Sequence, residues 1–157
     1  MRTFLFLDVD GVCHPLGAAG RTNPFKRECM DALAHLARES GAEIVLSSTW
    51  RLSETTQQRV NEALAEVGLA ACIGATPVLP LGSRPMEIWR WLRDTLVDAG
   101  EGVRFLALDD IPLEALDKTP GRCLQGRCVL TQKRTGLTHE LAGQGLRLLA
   151  QQALWRA

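Results

Sequence analysis

The sequence lacks an excess of basic residues and a long apolar segment, the features that bring a chain to nucleic acid or into a membrane. Its 157 residues carry no net charge, since 18 Lys and Arg balance 18 Asp and Glu. A global basic field is therefore absent, although local patches remain open. The apolar run at residues 4–7 is interrupted by Asp8, so it is too short for a signal core or a membrane span. These absences predict a cytoplasmic protein with no membrane partner.

The cysteine pattern excludes two further classes. Five cysteines are scattered along the chain, and none forms a CxxC pair. An odd, scattered set argues against a disulfide framework. Four residues separate Cys123 from Cys128, and no His lies at ligand spacing, which argues against a zinc site.

Strand and helix signals alternate along the whole chain, without repeats, low-complexity tracts or linkers. The predicted strands cover residues 3–7, 44–46, 70–74, 103–108 and 127–130. The predicted helices cover residues 28–38, 53–67, 86–97 and 138–155, with a loop at 77–85. Such alternation favours parallel strands joined by right-handed crossovers. We therefore predict one α/β domain over residues 1–157, a three-layer sandwich whose Rossmann-like parallel sheet has helices on both faces.

Polar residues follow three of the predicted strands. They are Asp8 and Asp10, then Ser47 and Ser48, then Asp109 and Asp110. In a parallel α/β sheet the ligand lies outside the carboxyl ends of the strands, near the switch in strand order. An ordinary turn explains one such strand end but does not explain three.

The Asp8-Val9-Asp10-Gly11 segment carries the clearest chemical signal. Strand alternation points Asp8 and Asp10 to the same side. Two carboxylates so close repel each other unless a cation lies between them or one holds a proton. The pattern therefore indicates either a Mg²⁺ site or a nucleophile paired with a general acid. The alternative is an Asp-Gly turn that ends an ordinary strand.

These segments resemble the motifs of the haloacid dehalogenase (HAD) superfamily. The matching segments are DxDGV at residues 8–12, IVLSSTWR at 44–51, residues 84–92, LALDD at 106–110 and GLT at 136–138. More narrowly, the chain is similar to the small capless HAD domains of bacterial multi-domain RNA repair proteins. The resemblance implies that the predicted Rossmann-like sheet has the HAD-like fold, without a separate cap domain.

The resemblance also implies a mechanism. Asp8 would attack phosphorus and form an aspartyl-phosphate. Mg²⁺ would be held by Asp8, the backbone carbonyl of Asp10 and a carboxylate of Asp109 or Asp110. Asp10 would protonate the leaving oxygen and then activate water.

Further site residues follow from the same resemblance. Ser47 would hydrogen-bond a phosphoryl oxygen, with Ser48 as its alternative one register step away. Either serine could instead be a plain helix-entry hydroxyl. Four residues are predicted to lie near the substrate, namely Gly11, His14, Ser48 and Arg51. A lone loop histidine such as His14 is more often incidental.

A cation is expected beside the transferred phosphoryl group, where the family commonly has Lys. The chain has no Lys between Lys26 and Lys118. Arg84 matches best by order, and Arg51 is the alternative. Each could equally be an exposed Arg on a solvated surface.

Neither insertion point offers room for a separate cap domain. The first spans residues 13–27 and the second residues 77–83. An open site suits a large substrate such as a nucleic-acid end or a phosphoprotein, unless a second subunit of a homo-oligomer supplies the lid. Basic residues at 21–27 could contact the substrate or could merely be solvated.

The sequence thus predicts a Mg²⁺-dependent phosphohydrolase that acts on an accessible phosphorylated substrate such as a polynucleotide end. A phosphatase of small nucleotides or sugars is the first alternative. The second is a non-catalytic HAD-fold binding or regulatory domain, which the missing third-motif Lys favours and the intact acidic residues oppose.

Overall fold

The computed structural model describes residues 1–16 and 24–157, and a five-stranded parallel sheet forms its centre. The strands are β1 (Thr3–Leu7), β2 (Glu43–Leu46), β3 (Gly74–Ala75), β4 (Arg104–Asp109) and β5 (Cys128–Leu130). Their order in the sheet is β3-β2-β1-β4-β5, and every neighbouring pair is parallel. The predicted parallel sheet is confirmed.

Helices cover both faces of this sheet. They are α1 (Arg27–Ser40), α2 (Glu54–Glu66), α3 (Arg84–Leu96), α4 (Leu113–Leu116) and α5 (His139–Gln151), with 3₁₀ turns at Thr49–Leu52 and Pro120–Arg122. Helices α1, α2 and α5 contribute to one core, and α3 and α4 to the other. The three-layer prediction is confirmed, and no separate cap domain lies among the residues that the structure describes.

Side-chain alternation on the central strands separates the two cores. Leu5 and Leu7 of β1 face the aliphatic core with α1, α2 and α5. Phe4 and Phe6 face the opposite core, where the Trp91 ring of α3 meets them edge-on at centroid distances of 5.2 and 5.5 Å. Both faces of the sheet are therefore dry, as expected of a parallel sheet.

Strand register aligns the ends of the three central strands. Leu7 of β1 pairs with Leu46 of β2 on one side and with Leu108 of β4 on the other. The chain runs outward from β1 to β2 and β3, then returns to place β4 on the other side of β1. The switch in strand order therefore lies between β1 and β4, where a ligand crevice is expected.

Helix caps set the boundaries of three helices. Ser53, Ser83 and Thr138 precede α2, α3 and α5, and each side chain accepts a backbone N–H of the first turn. Ser83 with Pro85 starts α3 at Arg84, so the loop predicted for residues 77–85 ends earlier than expected.

The predicted end of the last helix is wrong. Helix α5 ends at Gln151, and Trp155 forms an antiparallel bridge with Val103 instead. The side chain of Gln152 accepts the backbone N–H of Phe105 at 2.9 Å, which turns the chain toward the sheet. This tertiary contact outweighs the helical propensity of the sequence.

Two smaller elements also differ from the prediction. The strand predicted for residues 70–74 is only Gly74–Ala75, and the short helix α4 was not predicted. None of the helices in the described part of the chain is long and apolar enough to span a membrane.

Candidate active site

Three carboxylates converge where β1 and β4 end. Asp8, Asp109 and Asp110 each offer an oxygen, and these oxygens lie within 4.8 Å of one another. Asp8 and Asp109 are buried. The backbone N–H of Asp8 donates to the carbonyl of Leu108 at 3.1 Å, so the sheet itself brings the strand ends together. The cluster is built from hard oxygen donors, the ligands that Mg²⁺ prefers.

Arg84 lies against this cluster from the first turn of α3. Its Nη1 is 2.8 and 3.0 Å from the two carboxylate oxygens of Asp109 and 3.5 Å from Oδ1 of Asp8. The cation that sequence order suggested for the site therefore lies beside the candidate nucleophile. Its part in catalysis stays a prediction.

A second cation reaches the cluster from the far side. Lys133 Nζ lies 2.8 Å from Oδ2 of Asp110. The sequence prediction did not include Lys133, because it assigned the cation to Arg84 or Arg51, both of which precede β4. The signal of Lys133 was its position three residues after β5, at the edge where the other polar residues gather.

Three ionised carboxylates this close together would repel one another. Burial and the neighbouring Asp109 charge raise the pKa of Asp8 to about 8, against the opposing effect of Arg84. Burial likewise raises the pKa of Asp109, and Arg84 opposes it. Burial also disfavours the charge of Asp110, but hydrogen bonds from Lys133 and Asp8 outweigh it and leave its pKa below the ordinary value. A cation bound to these carboxylates would therefore displace the proton that Asp8 holds.

Gly11 allows Asp110 to approach the turn after β1. Its φ of +79° is in the left-handed region, and a Cβ there would lie 2.6 Å from Oδ2 of Asp110. Thr131 Oγ1 donates to the Gly11 carbonyl at 2.6 Å and holds the turn in place. The observed role of Gly11 is thus steric, and its predicted contact with substrate stays a prediction.

The Asp10 side chain contacts His14 and Trp50 and is not part of the carboxylate cluster. Its Oδ1 is 2.9 Å from Nε2 of His14, and its Oδ2 accepts a hydrogen bond from Nε1 of Trp50 at 3.2 Å. The carboxylate cluster found among the described residues contains Asp8, Asp109 and Asp110 but not the Asp10 side chain. Both oxygens of Asp10 have hydrogen-bond partners within the protein, and its acid–base role and the metal contact through its backbone carbonyl stay predictions.

The structure distinguishes the two serines that follow β2. Ser48 Oγ accepts the backbone N–H of Trp50 at 3.2 Å and caps the 3₁₀ turn, so it has a structural role. Ser47 Oγ is buried and has no hydrogen-bond partner within the described part of the chain. A buried hydroxyl without a partner is costly, which favours Ser47 as the group that meets a ligand.

Arg51 is engaged by the protein itself. Its guanidinium donates to Glu87 Oε2 at 2.7 Å, to the Ser48 carbonyl at 2.8 Å and to the Thr76 carbonyl at 3.0 Å. These bonds tie the segment after β2 to α3. Arg84 is consequently the better placed of the two candidate cations, and a substrate contact of Arg51 stays a prediction.

His14 lies behind Asp10 rather than at the mouth of the site. Only 3% of its side chain is exposed. This burial argues against the direct substrate contact that the sequence suggested. The predicted basic segment 21–27 falls partly outside the described residues, at 21–23. Within it, Lys26 pairs with Glu28 and Arg27 with Asp31.

Comparison with known proteins agrees with this geometry. A family model described as the HAD domain in Swiss Army Knife RNA repair proteins matches residues 4–142. The match extends from β1 into the first turn of α5. No match was found among curated proteins or among solved structures.

The raised pKa of Asp8 predicts how stability depends on pH in metal-free buffer. The unfolded chain releases this proton near pH 4, at the ordinary pKa of about 3.9, whereas the folded protein keeps it until about pH 8. The free energy of unfolding should therefore fall as pH rises through this window. Asp8→Asn removes the titration, so the variant should be more stable than the wild type at about pH 8 and should lose that advantage near pH 4.

Denaturant unfolding with a chelator at both pH values measures this difference. Asp94→Asn, at an exposed carboxylate on α3, is the matched control and should follow the wild type. Parallel pH profiles of wild type and Asp8→Asn would show that the Asp8 carboxyl is not held in its protonated form.

Proposed function

Because the chain belongs to the HAD domains of Swiss Army Knife RNA repair proteins, we propose that it is a Mg²⁺-dependent phosphohydrolase that forms an aspartyl-phosphate on Asp8. The observation that carries this proposal is the convergence of Asp8, Asp109 and Asp110 beside Arg84. The buried Ser47 hydroxyl adds a donor that has no protein partner in the described part of the chain.

The proposed reaction has two displacement steps at phosphorus, the first by Asp8 and the second by water. An Asp8 oxygen attacks phosphorus, the bond between phosphorus and the ester oxygen breaks, and Asp10 gives its proton to the leaving oxygen. Asp10, now a carboxylate, takes a proton from water. The water oxygen attacks the same phosphorus, phosphate leaves, and the Asp8 carboxylate is regenerated.

Charge decides whether a carboxylate can attack a phosphate. Asp8, Asp109, Asp110 and the backbone carbonyl of Asp10 would hold Mg²⁺, which when bound supplies positive charge against the repulsion between the two anions. Arg84 Nη1 lies 3.5 Å from Asp8 Oδ1 and supplies a permanent positive charge beside the nucleophile. Ser47 would donate its hydroxyl proton to a phosphoryl oxygen.

We further propose that the substrate is the phosphorylated end of a polynucleotide. The family description names RNA repair proteins, and no cap covers the site within the described residues. The leaving group would lie near Asp10, which is in contact with Trp50. The exposed Arg59 guanidinium carbon lies 5.1 Å from the centre of the Trp50 ring. An aromatic ring with an Arg suits a nucleobase and its charged backbone.

A phosphate-release screen tests the function and its substrate class together. RNA and DNA oligonucleotides with 5′- or 3′-phosphates are compared with mononucleotides and sugar phosphates, each with Mg²⁺ and with a chelator. We expect the highest kcat/KM on an oligonucleotide end, no turnover under chelation, and none in Asp8→Asn.

Other results of the screen identify the alternatives. Higher kcat/KM on mononucleotides or sugar phosphates would indicate a small-molecule phosphatase. An absence of release from every compound by a folded, Mg²⁺-supplied protein would indicate the non-catalytic binding domain. Full activity after exhaustive chelation would contradict the metal site.

Arg84→Ala tests the charge beside the nucleophile. Removing one group that stabilises transition-state charge typically lowers the rate by about 10²–10³-fold, so we expect that loss in kcat/KM. Arg84→Lys keeps the charge and should recover part of the rate. Arg93→Ala, an exposed position on the same helix, serves as the control. A kcat/KM of Arg84→Ala close to that of the wild type would remove Arg84 from the catalytic group.

A further inference from the structure

The carboxylate of Asp10 is held by two donors that come from separate parts of the chain. His14 Nε2 lies 2.9 Å from Oδ1, and Trp50 Nε1 donates to Oδ2 at 3.2 Å. The Asp10 side chain is 43% exposed, whereas the His14 side chain is 3% exposed. A buried imidazole thus supports a carboxylate that itself reaches the solvent.

The tautomer of His14 follows from its second contact. The backbone N–H of Phe25 donates to Nδ1 at 3.3 Å, so Nδ1 must present its lone pair. The proton of the neutral ring is then on Nε2, the nitrogen that faces Asp10. This contact leaves Nε2 as the ring nitrogen that donates to Asp10.

The backbone and the surrounding rings hold His14 in this position. The Gly11 N–H donates to the His14 carbonyl at 3.0 Å, and the Cys13 carbonyl accepts the N–H of Lys26 at 2.9 Å. The rings of Phe25 and Trp50 pack edge to face at 5.3 Å, and the His14 ring lies within 6.2 Å of both. The imidazole therefore has little freedom to turn away from Asp10.

We infer that His14 is a positioning residue, which holds the Asp10 carboxyl at the point where it protonates the leaving group. This inference rests on the proposed function and adds a residue to it. A misplaced acid costs most when the leaving oxygen is strongly basic, because such an oxygen cannot depart without a proton. A phenolate with an electron-withdrawing ring leaves without that help. The role of His14 must therefore depend on the leaving group.

Two substitutions separate the contacts of His14. His14→Asn places an amide oxygen near the position of Nδ1, so it can still accept the Phe25 N–H but has no donor that reaches Asp10. His14→Gln places an amide nitrogen near the position of Nε2 and restores that donor. His35→Asn, at an exposed histidine on α1, is the control for the substitution itself.

The measurement is kcat/KM with Mg²⁺ on an alkyl phosphate and on an activated aryl phosphate. We expect His14→Asn to lose about 10²-fold on the alkyl ester, as for a misplaced catalytic group, and to stay within a few-fold of wild type on the aryl ester. His14→Gln should recover most of the loss. In an Asp10→Asn background, His14→Asn should add no further loss.

Several results would overturn the inference. Equal losses on both esters, or a further loss in the Asp10→Asn background, would reduce His14 to a structural role, as would a lack of rescue by His14→Gln. A wild-type protein that hydrolyses neither ester would overturn the proposed function and this inference with it.

A nuclear magnetic resonance spectrum tests the hydrogen bond without any turnover. Long-range ¹⁵N–¹H correlation at neutral pH should show His14 with its proton on Nε2, and the exposed His35 and His139 provide internal references. A proton on Nδ1 in an active enzyme would overturn the inference and leave the proposed function intact.

Discussion

The register of three parallel strands is the constraint on which the site depends. Leu7 pairs with both Leu46 and Leu108, so the residues that follow these leucines emerge in one row. The backbone N–H of Asp8 donates to the Leu108 carbonyl, and that of Ser47 donates to the Leu7 carbonyl at 2.8 Å. A slip of one residue would turn Asp8 toward the core. The dry packing on both faces of the sheet therefore also sets the positions of the reactive groups.

The cost of this arrangement is a buried group of like charges, and two cations offset it. Arg84 lies against Asp8 and Asp109, and Lys133 against Asp110. Helix α3 must be held firmly to present Arg84, and Glu87 on the same helix binds the Arg51 guanidinium at 2.7 Å. Arg51, the alternative candidate for the cation, thus helps to hold the helix that presents Arg84.

Signals local in sequence predicted most of the fold and the centre of the site. Apolar strands, helix caps and polar strand ends are each recognised from a few neighbouring residues, so the sequence predicted that Asp8, Asp109 and Ser47 lie at strand ends. Side-chain contacts between distant segments could not be predicted in this way. The contact of Lys133 with Asp110, the Gln152 contact that ends α5, and the Phe25 N–H that fixes His14 all join segments whose proximity only the fold creates.

The central claim is that Asp8 becomes covalently phosphorylated. The direct measurement uses Asp10→Asn, which lacks the base for the second displacement and should accumulate the intermediate. The variant is mixed with Mg²⁺ and an activated aryl phosphate, quenched in acid and analysed by peptide mass spectrometry. The account predicts a phosphate on the peptide that contains Asp8, at the Asp8 carboxylate. A protein that turns over the substrate with no such adduct, or with the phosphate on another residue, would contradict it.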